Sequence, residues 1–275
     1  MHMNANDDGN GLDALLPDAM ARKAEQLGVT KAQRDNLRLF MLAVLAGAFI
    51  ALGAMFSTVV ATGAGALPFG VARLLIGLSF SIGLILVVVG GAELFTGDAL
   101  MVMAVASGRL AWRRLLSAWA VIYAGNFVGA AGTAVLVWLS GMAEFNGGGV
   151  GQTALAIAVG KVGLAPFPAF FLGVLCNVLV CLAVWLSFSA RSVADKILAV
   201  VPPVAAFVAA GLEHSVANMY FIPLGLLLQA QHVTHFIGLD LAGLMRNLIP
   251  VTLGNVFGGA VLVGVVYWLI YLRRP

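Results

Sequence analysis

The stretch Gly211-Leu212-Glu213-His214-Ser215-Val216-Ala217-Asn218-Met219 decides how this chain folds. Apolar sequence of helical character flanks it on both sides, over residues 197–210 and 220–228, and the whole segment has about the length of a membrane span. A carboxylate and an imidazole lie side by side at its centre. Ionisable groups at that depth are costly, so they usually face a bundle interior or a polar cavity and mark a transport path.

A second apolar segment contains a similar interruption, Gly90-Gly91-Ala92-Glu93-Leu94-Phe95-Thr96-Gly97-Asp98. The two segments that carry interruptions, at about residues 71–106 and 196–229, are too long for one straight span. Backbone that leaves the helix at membrane depth is tolerated only where protein or a cavity solvates it. We therefore predict two broken helices whose interruptions face each other.

The composition indicates a polytopic membrane protein. Of 275 residues, 61% are hydrophobic and 10% are charged, whereas soluble domains carry roughly 25% charged residues. The basic residues are spread among loops rather than gathered on one face, which argues against nucleic-acid binding. Cys176 and Cys181 lie in one apolar segment at a spacing that does not stack them, so no disulfide is expected. The acidic N-terminus does not resemble a cleaved signal peptide.

The chain divides into two parts. Residues 1–36 are predicted to form a cytoplasmic N-terminal segment, disordered over its first 17 residues, followed by a short amphipathic helix from Pro17 to Leu27 that stops at Gly28. Residues 37–272 are predicted to form a single transmembrane channel domain. It contains six apolar segments, at about residues 38–62, 71–106, 113–140, 160–188, 196–229 and 247–272.

The distribution of basic residues predicts the orientation in the membrane. With six spans and a cytoplasmic N-terminus, the C-terminus is also cytoplasmic, and 12 of the 15 basic residues lie inside. The three outside are Arg73, Lys161 and Arg246. The twelve inside are Arg22, Lys23, Lys31, Arg34, Arg38, Arg109, Arg113, Arg114, Arg191, Lys196, Arg273 and Arg274.

The chain also repeats itself. The third segment contains Gly125-Asn126-Phe127-Val128-Gly129-Ala130 and the sixth contains Gly254-Asn255-Val256-Phe257-Gly258-Gly259. Each follows a broken segment, since Asn126 lies 33 residues after Glu93 and Asn255 lies 42 residues after Glu213. Three spans per half force the halves, about residues 37–140 and 160–272, to insert in opposite orientations. Inverted repeats with paired broken helices place the solute path at their interface.

Several motifs carry a resemblance to a known family. They are Leu94-Phe95-Thr96-Gly97, Gly125-Asn126, Cys176-Asn177-Val178-Leu179-Val180-Cys181-Leu182-Ala183-Val184-Trp185 and Glu213-His214-Ser215-Val216-Ala217-Asn218-Met219. With them, nearly the whole chain, from about Asp13 to Arg273, resembles the formate/nitrite transporter family. Within it the chain is most similar to the formate channels, on the evidence of Asp13–Lys31, Ala106-Ser107-Gly108-Arg109 and residues 267–273.

The resemblance implies an all-α, aquaporin-like fold of six spans, assembled as a homopentamer in a bacterial inner membrane, with one pore in each protomer. It also implies a mobile loop around Leu94-Phe95-Thr96 and two apolar constrictions. The implied pore residues are Phe80 and Phe207 on the periplasmic side, Leu84 and Leu94 on the cytoplasmic side, His214 between them, Thr96 opposite, Phe95 in the loop and Lys161 at the outer vestibule.

The implied transport suggests a role for His214. A bare carboxylate loses its hydration in an apolar constriction, whereas a neutral acid loses far less. Formate is largely anionic near neutral pH, since small carboxylic acids titrate near pH 4, like Asp. We expect helix-break N–H groups, basic vestibule residues such as Lys161, and His214 to attract the anion. We also expect His214 to assist its protonation, by giving up its own proton or by relaying one.

The remaining polar residues of the spans have structural interpretations. Glu213 points away from His214 on a helix and is expected to tie the break to neighbouring groups, with Asn177 or backbone N–H as candidates. Glu93 is interpreted in the same way. The other residues interpreted as structural are Asn126, Asn177, Asn218 and Asn255, and the first two and the last are expected to hydrogen-bond the broken helices.

Other functions stay open at this point. Nitrite and hydrosulfide are also small anions of weak acids, and an aquaporin-like channel for neutral solutes would be insensitive to pH. A membrane enzyme using Glu213 and His214 would need a nucleophile or a metal, and none is evident beyond Thr96. His232 and His235 lack the further ligands of a metal site, and no Walker loop occurs. We therefore expect no enzyme activity, cofactor or metal, and expect formate, protons and lipid as partners.

Overall fold

The computed structural model describes residues 14–231 and 236–273. The interpretation of residues 1–13 as disordered, the His232 and His235 pair, and Arg274 all lie outside the described residues. The described chain contains α-helices and shorter helical turns. The helices are α1 (Pro17–Ala32), α2 (Asn36–Ala61), α3 (Phe69–Gly90), α4 (Val102–Ala106), α5 (Trp112–Leu139), α6 (Gly149–Val162), α7 (Pro166–Ser189), α8 (Val193–Ala209), α9 (Ser215–Gln229), α10 (Leu241–Val256) and α11 (Val266–Tyr271).

Shorter turns complete the helices. 3₁₀ turns occupy Ala64–Ala66, Gly97–Met101 and Met142–Glu144, and a π-helical stretch, Phe257–Val265, joins α10 to α11. Besides His214 at the start of α9, polar side chains cap three more of the described helices: Asp35 accepts from Arg38 N–H at α2, Ser192 and Asp195 form a capping box at α8, and Asp240 accepts from Gly243 N–H at α10. Such caps satisfy backbone donors that have no partner inside the helix.

Five helices of the described chain are long and apolar enough to cross a membrane. They are Asn36–Ala61, Phe69–Gly90, Trp112–Leu139, Pro166–Ser189 and the continuous Leu241–Tyr271. The predicted segment at 196–229 is divided between α8 and α9, of 17 and 15 residues, and neither half is long enough alone. The chain leaves the helical conformation at both sequence interruptions, between α3 and the turn at Gly97, and between α8 and α9.

The helices pack in two similar groups. α2 packs against α3 and α5, and α7 packs against α8 and α10. Contacts of α3 with α8 and of α5 with α9 join the two groups. The two groups therefore meet through α3 and α8, which lead into the interruptions, and through α5 and α9.

Three predicted boundaries were wrong. α1 continues through Gly28 to Ala32 because Gly28 lies in a close contact, where a Cβ would stand 3.2 Å from both Met101 Cα and Ala104 Cβ. The predicted segment at 160–188 merges the end of α6 with α7, which begins only at Pro166. The last span begins at Leu241, capped by Asp240, rather than at residue 247.

Two glycines let α2 and α5 approach closely. A Cβ built on Gly47 would overlap the Asn126 carbonyl, and one on Gly129 would overlap the Val44 carbonyl oxygen. Gly132, one turn further along α5, faces open space. Small residues at such contacts let helix backbones pack against each other in membranes.

Gly129→Ala is expected to lower the free energy of unfolding by about 1–3 kcal/mol, because the added methyl group must push α5 away from α2. Gly132→Ala is the matched control, and we expect it to be neutral or slightly stabilising, since alanine favours helix and meets no neighbour. Thermal unfolding in detergent can be followed with a thiol-reactive dye, because Cys176 and Cys181 are fully buried in the folded chain. Equal melting temperatures for the two variants would contradict the prediction.

Candidate functional site: two interrupted helices and two cavities

The two interruptions begin in the same way. Gly91 caps the end of α3, and Gly211 lies two residues beyond the end of α8, with φ angles of 79° and 76°. Glycine adopts this left-handed conformation readily, so each helix can turn sharply at that point. An apolar residue and then a glutamate follow each glycine. The backbone N–H of the glutamate donates across to a neighbouring helix, from Glu93 to the Leu42 carbonyl and from Glu213 to the Leu172 carbonyl.

One asparagine supports each interruption, through equivalent hydrogen bonds. Asn126 accepts from Phe95 N–H at 2.9 Å and donates to the carbonyls of Glu93 and Ala43 at 3.0 and 2.7 Å. Because the backbone groups of the interruption have left the helix, they need partners when buried. The side chain of Asn126 is fully buried and binds three backbone groups at once.

Asn255 repeats the pattern in the second half. Its amide oxygen accepts from Ser215 N–H at 2.9 Å, and its amide nitrogen donates to the carbonyls of Glu213 and Gly173 at 3.0 and 2.8 Å. In both halves the asparagine therefore binds the carbonyl of the glutamate and the N–H two residues later. The structure places both asparagines where the repeated sequence motif predicts a support for the breaks.

The loops meet at Thr96 and His214. Thr96 Oγ1 lies 2.9 Å from His214 Nε2, and both side chains are buried. His214 Nδ1 accepts from Ala217 N–H at 3.1 Å, so the imidazole also caps the start of α9. Since Nδ1 is an acceptor there, a neutral imidazole carries its proton on Nε2 and donates it to Thr96.

Glu213 forms an ion pair with a residue of α6. Lys161 Nζ lies 2.5 Å from Glu213 Oε1, and the two side chains are 18% and 3% exposed. The other carboxylate oxygen accepts from Asn218 at 2.7 Å and from Asn247 at 3.4 Å. Asn177, one of the two candidate partners of Glu213, therefore does not bind its carboxylate. The positive charge of Lys161 is also compensated, although the family resemblance implies a vestibule residue that attracts anions.

Asn177 serves the other loop instead. Its amide nitrogen donates to the Thr96 carbonyl at 3.1 Å and to the Asn255 carbonyl at 2.6 Å. Cys181, one turn later on α7, also donates to the Thr96 carbonyl, at 3.4 Å. The partner was missed because α7 reaches the Thr96 loop from the opposite half of the chain, and spacing along the sequence does not reveal such a contact.

The glutamate of the first interruption also pairs with basic residues. Lys31 Nζ lies 2.7 Å from Glu93 and 2.5 Å from Asp98, and Arg34 forms a further ion pair with Glu93. Burial disfavours the charged form of Lys31, but the Asp98 and Glu93 carboxylates together outweigh it and raise the pKa of this lysine. Four ionisable side chains thus tie the N-terminal helix and its following turn to the loop that carries Thr96.

A first cavity, of about 350 Å³, opens on the α3–α8 side of His214. Phe80 and Phe207 both line it with their rings 5.7 Å apart in an edge-to-face arrangement, and the Phe207 ring stacks on His214 at 5.9 Å. The other polar and charged lining residues are Ser57, Arg73, Lys161, Glu213 and Asn218. The imidazole and the aromatic pair thus line one cavity together with these polar groups.

A second cavity, of about 210 Å³, adjoins the first interruption. Leu84 and Leu94 are buried apolar residues of its wall. Its charged residues are Lys31, Arg34, Glu93 and Asp98. An aliphatic pair thus stands at one cavity and an aromatic pair at the other, with Thr96 and His214 belonging to the loops between them.

Phe95 lies apart from these groups. It lines neither of the two cavities and packs edge to face against Tyr123 and Trp119, with ring centroids 4.9 and 6.0 Å apart. Arg73 and Arg34 were not among the predicted site residues, yet both line a cavity. The sequence carries a signal for Arg73, an isolated cation next to an apolar segment, but not for Arg34, which lies among Lys31, Asp35 and Arg38.

Comparisons with known proteins agree with this architecture. Residues 18–269 match the family model described as formate/nitrite transporter. The chain is 45% identical over 279 residues to the formate channel FocA of Escherichia coli strain K12, covering 96% of this chain and 97% of that protein. It is 40% identical over 264 residues to the formate channel FocA of Haemophilus influenzae, covering 92% and 93%.

Two solved structures resemble the fold. One is described as a pentameric formate channel with formate bound; it has a TM-score of 0.80 and 43% identity, and the match covers 86% of this chain and 98% of that one. The other, an FNT family ion channel, has a TM-score of 0.82 and 30% identity, with 94% and 99% covered. From the matched family model, the full-length relatives and the paired interruptions, we conclude that this chain belongs to the formate/nitrite transporter family.

Proposed function

We propose that the protein is a channel that passes formate across the membrane, with His214 assisting protonation of the anion inside the pore. The observation that carries this proposal is the buried contact of Thr96 Oγ1 with His214 Nε2, flanked by an aromatic pair on one side and an aliphatic pair on the other. The relatives named formate channels support formate as the solute. Both relatives are named as channels, and the proposal likewise assigns no catalytic role to this protein.

Desolvation is the main physical barrier to this transport. A formate ion that passes Phe80 and Phe207 loses its hydrating water to aromatic rings, which costs free energy. Formic acid has no net charge, so its desolvation costs far less. A donor is therefore needed just beyond the aromatic pair. The Nε2–H of His214 and the hydroxyl of Thr96 are the donors at that depth, and either group can bind a carboxylate oxygen once the solute separates them.

The cap on α9 constrains how His214 handles a proton. Its Nδ1 accepts from Ala217 N–H, so protonation at Nδ1 would break that bond. Donation from Nε2 to the anion leaves the bond in place. We infer that His214 binds the anion through its Nε2–H and keeps that proton, because a neutral imidazole that lost it would become an imidazolate. The proton that formate gains then comes from hydronium in the cavity water, and His214 assists by holding the anion where that transfer occurs.

The proposal includes the topology and the assembly. The six spans are α2, α3, α5, α7, the α8–α9 pair and the continuous helix from α10 to α11, in two inverted repeats. Residues 37–272 form the channel domain, and residues 1–36 and the C-terminus lie in the cytoplasm, with the protein in a bacterial inner membrane. The relative described as a pentameric formate channel supports a homopentamer, and the many exposed apolar side chains of the described protomer suit lipid or subunit contacts.

His214→Asn tests the role of the imidazole while keeping the helix cap, because asparagine is also a good N-cap residue. We expect formate flux into proteoliposomes to fall about tenfold to a hundredfold, at the lower end of what a positioned proton donor contributes. We also expect the remaining flux to lose its dependence on pH. The measurement compares the variant with the unmodified protein at an acidic and a neutral pH.

Two results would count against the proposal. Unchanged formate flux and an unchanged pH profile in His214→Asn would remove the histidine mechanism. Transport of a neutral solute at a rate that ignores both pH and His214 would favour an aquaporin-like channel. Parallel assays with nitrite and hydrosulfide rank the three anions, so a clear preference for either would replace formate as the substrate.

A further inference from the structure

Three charged side chains line the first cavity, and two of them cancel. Lys161 and Glu213 form a buried ion pair 2.5 Å long, so together they present almost no net charge to a solute. The third is Arg73, on the second turn of α3. The net positive charge of this cavity therefore belongs to Arg73, although the family resemblance points to Lys161.

The hydrogen bonds of Arg73 leave its charge uncompensated. Its Nε donates to the Ala209 carbonyl at 2.7 Å and its Nη2 to the Val208 carbonyl at 2.8 Å, at the end of α8. Both acceptors are neutral. Within residues 14–231 and 236–273, no carboxylate forms an ion pair with Arg73, and its Nη1 group has no hydrogen-bond partner. The guanidinium is thus held in place by two bonds while further N–H groups stay free.

The position of Arg73 suits a first contact with the solute. It is half-buried and lines the same cavity as Phe80, which lies seven residues deeper along α3, or about 10 Å at 1.5 Å per residue. The second cavity differs, because its two cations, Lys31 and Arg34, face two carboxylates, Glu93 and Asp98. Counted as formal charges, the second cavity is balanced, whereas the first has one positive charge in excess.

We propose that Arg73 binds the solute anion in the first cavity through Nη1 and sets the half-saturation concentration for transport from that side. The inference rests on the proposed function and adds a binding site to it. The ligand class is a small monocarboxylate, whose two oxygens match the planar donors of a guanidinium. Charge in a narrow apolar cavity raises the local concentration of the oppositely charged solute.

The test compares three variants in proteoliposomes that hold the protein in one orientation. Arg73→Gln removes the charge, Arg73→Lys keeps it, and Arg246→Gln removes a charge from an exposed site on α10 that does not line the cavity. For Arg73→Gln we expect the half-saturation concentration of formate, supplied on the Arg73 side, to rise about tenfold. The maximal rate should change less than about twofold, since deeper groups would limit passage.

The other variants separate charge from helix capping. Arg73→Lys should keep the half-saturation concentration within about threefold of the unmodified value. An ammonium still attracts the anion, although it lacks the planar pair of N–H donors of a guanidinium. Arg246→Gln should match the unmodified protein. An impermeant salt should erase most of the difference between the unmodified protein and Arg73→Gln, since the Debye length falls from about 10 Å at 0.1 M to about 3 Å at 1 M.

Three outcomes would overturn the inference. They are an unchanged half-saturation concentration in Arg73→Gln, equal loss of maximal rate and melting temperature in Arg73→Gln and Arg73→Lys, and an equal shift in Arg246→Gln. Formate binding to the solubilised protein, measured by ¹³C NMR line broadening, gives a separate readout. If the unmodified protein binds formate through Arg73 but does not transport it, the proposed function is wrong and the anion site is supported. If it transports formate and the half-saturation concentration does not depend on Arg73, only the anion site is wrong.

Discussion

Replacing Glu213 with Gln is expected to lower the free energy of unfolding by about 3 kcal/mol, the lower end of the range for buried pairs, because the change leaves the partly buried ammonium of Lys161 without a counter-charge. Lys161 is 18% exposed and Glu213 only 3% exposed at the side chain, so water cannot replace the lost carboxylate fully. Asn218 and Asn247 also lose a charged acceptor. The reactivity of the buried cysteines during heating, in detergent, measures the loss.

Glu25→Gln is the matched control for this prediction. Glu25 pairs with Arg109 at 2.6 Å, but the Arg109 side chain is 52% exposed, so water can solvate the guanidinium when the pair is broken. Exposed ion pairs contribute at most about 1 kcal/mol, and we expect a loss of that size. If Glu213→Gln and Glu25→Gln melt at the same temperature, the pair at Glu213 is not the buried anchor described above.

The sequence predicted the interruptions because their signals are local. A carboxylate and an imidazole inside an apolar segment, and glycines at the point where the helix stops, indicate a break without any knowledge of neighbours. Gly91 and Gly211 show the positive φ angles that such breaks require. The repeated Gly-Asn motif also indicated which residues would support the breaks, since Asn126 and Asn255 each bind three backbone groups there.

The partners of the ionisable groups were not predictable in the same way. Lys161 and Glu213 lie 52 residues apart, and they meet only because α6 packs against α9. α6 itself was missed, because residues 149–162 lie outside the long apolar windows that identify spans. From sequence alone, a glycine that ends a helix cannot be told from one that allows a close contact. Gly28 is of the second kind, because it packs against Met101 and Ala104 inside α1.

A similar arrangement recurs at the other interruption. Lys31 lies in the last turn of α1 and pairs with Glu93, as Lys161 lies in the last turn of α6 and pairs with Glu213. Asp98 is one difference between the two sites, because it adds a second carboxylate beside Lys31. The two cavities therefore have a similar framework but a different formal net charge.

Replacing Asn126 or Asn255 with Leu is expected to lower the free energy of unfolding by about 3 kcal/mol or more in each case. Each change removes three hydrogen bonds to backbone groups and leaves a buried N–H of the interruption without a partner, and an unsatisfied buried group costs about 1–3 kcal/mol. Leucine branches at the same carbon as asparagine and leaves no cavity. The same thiol-reactivity measurement applies to both variants.

The two asparagine variants also test whether the halves are built alike. Because Asn126 and Asn255 bind equivalent groups, we expect their losses to agree within about 1 kcal/mol, the usual worth of one net hydrogen bond. Thr133→Val is the control, since Thr133 donates to the Gly129 carbonyl of its own helix, and a loss under about 1 kcal/mol is expected. A loss under about 1 kcal/mol in either asparagine variant would mean that other contacts hold the interruption in place. The contact between Thr96 and His214 would then not depend on Asn126 and Asn255.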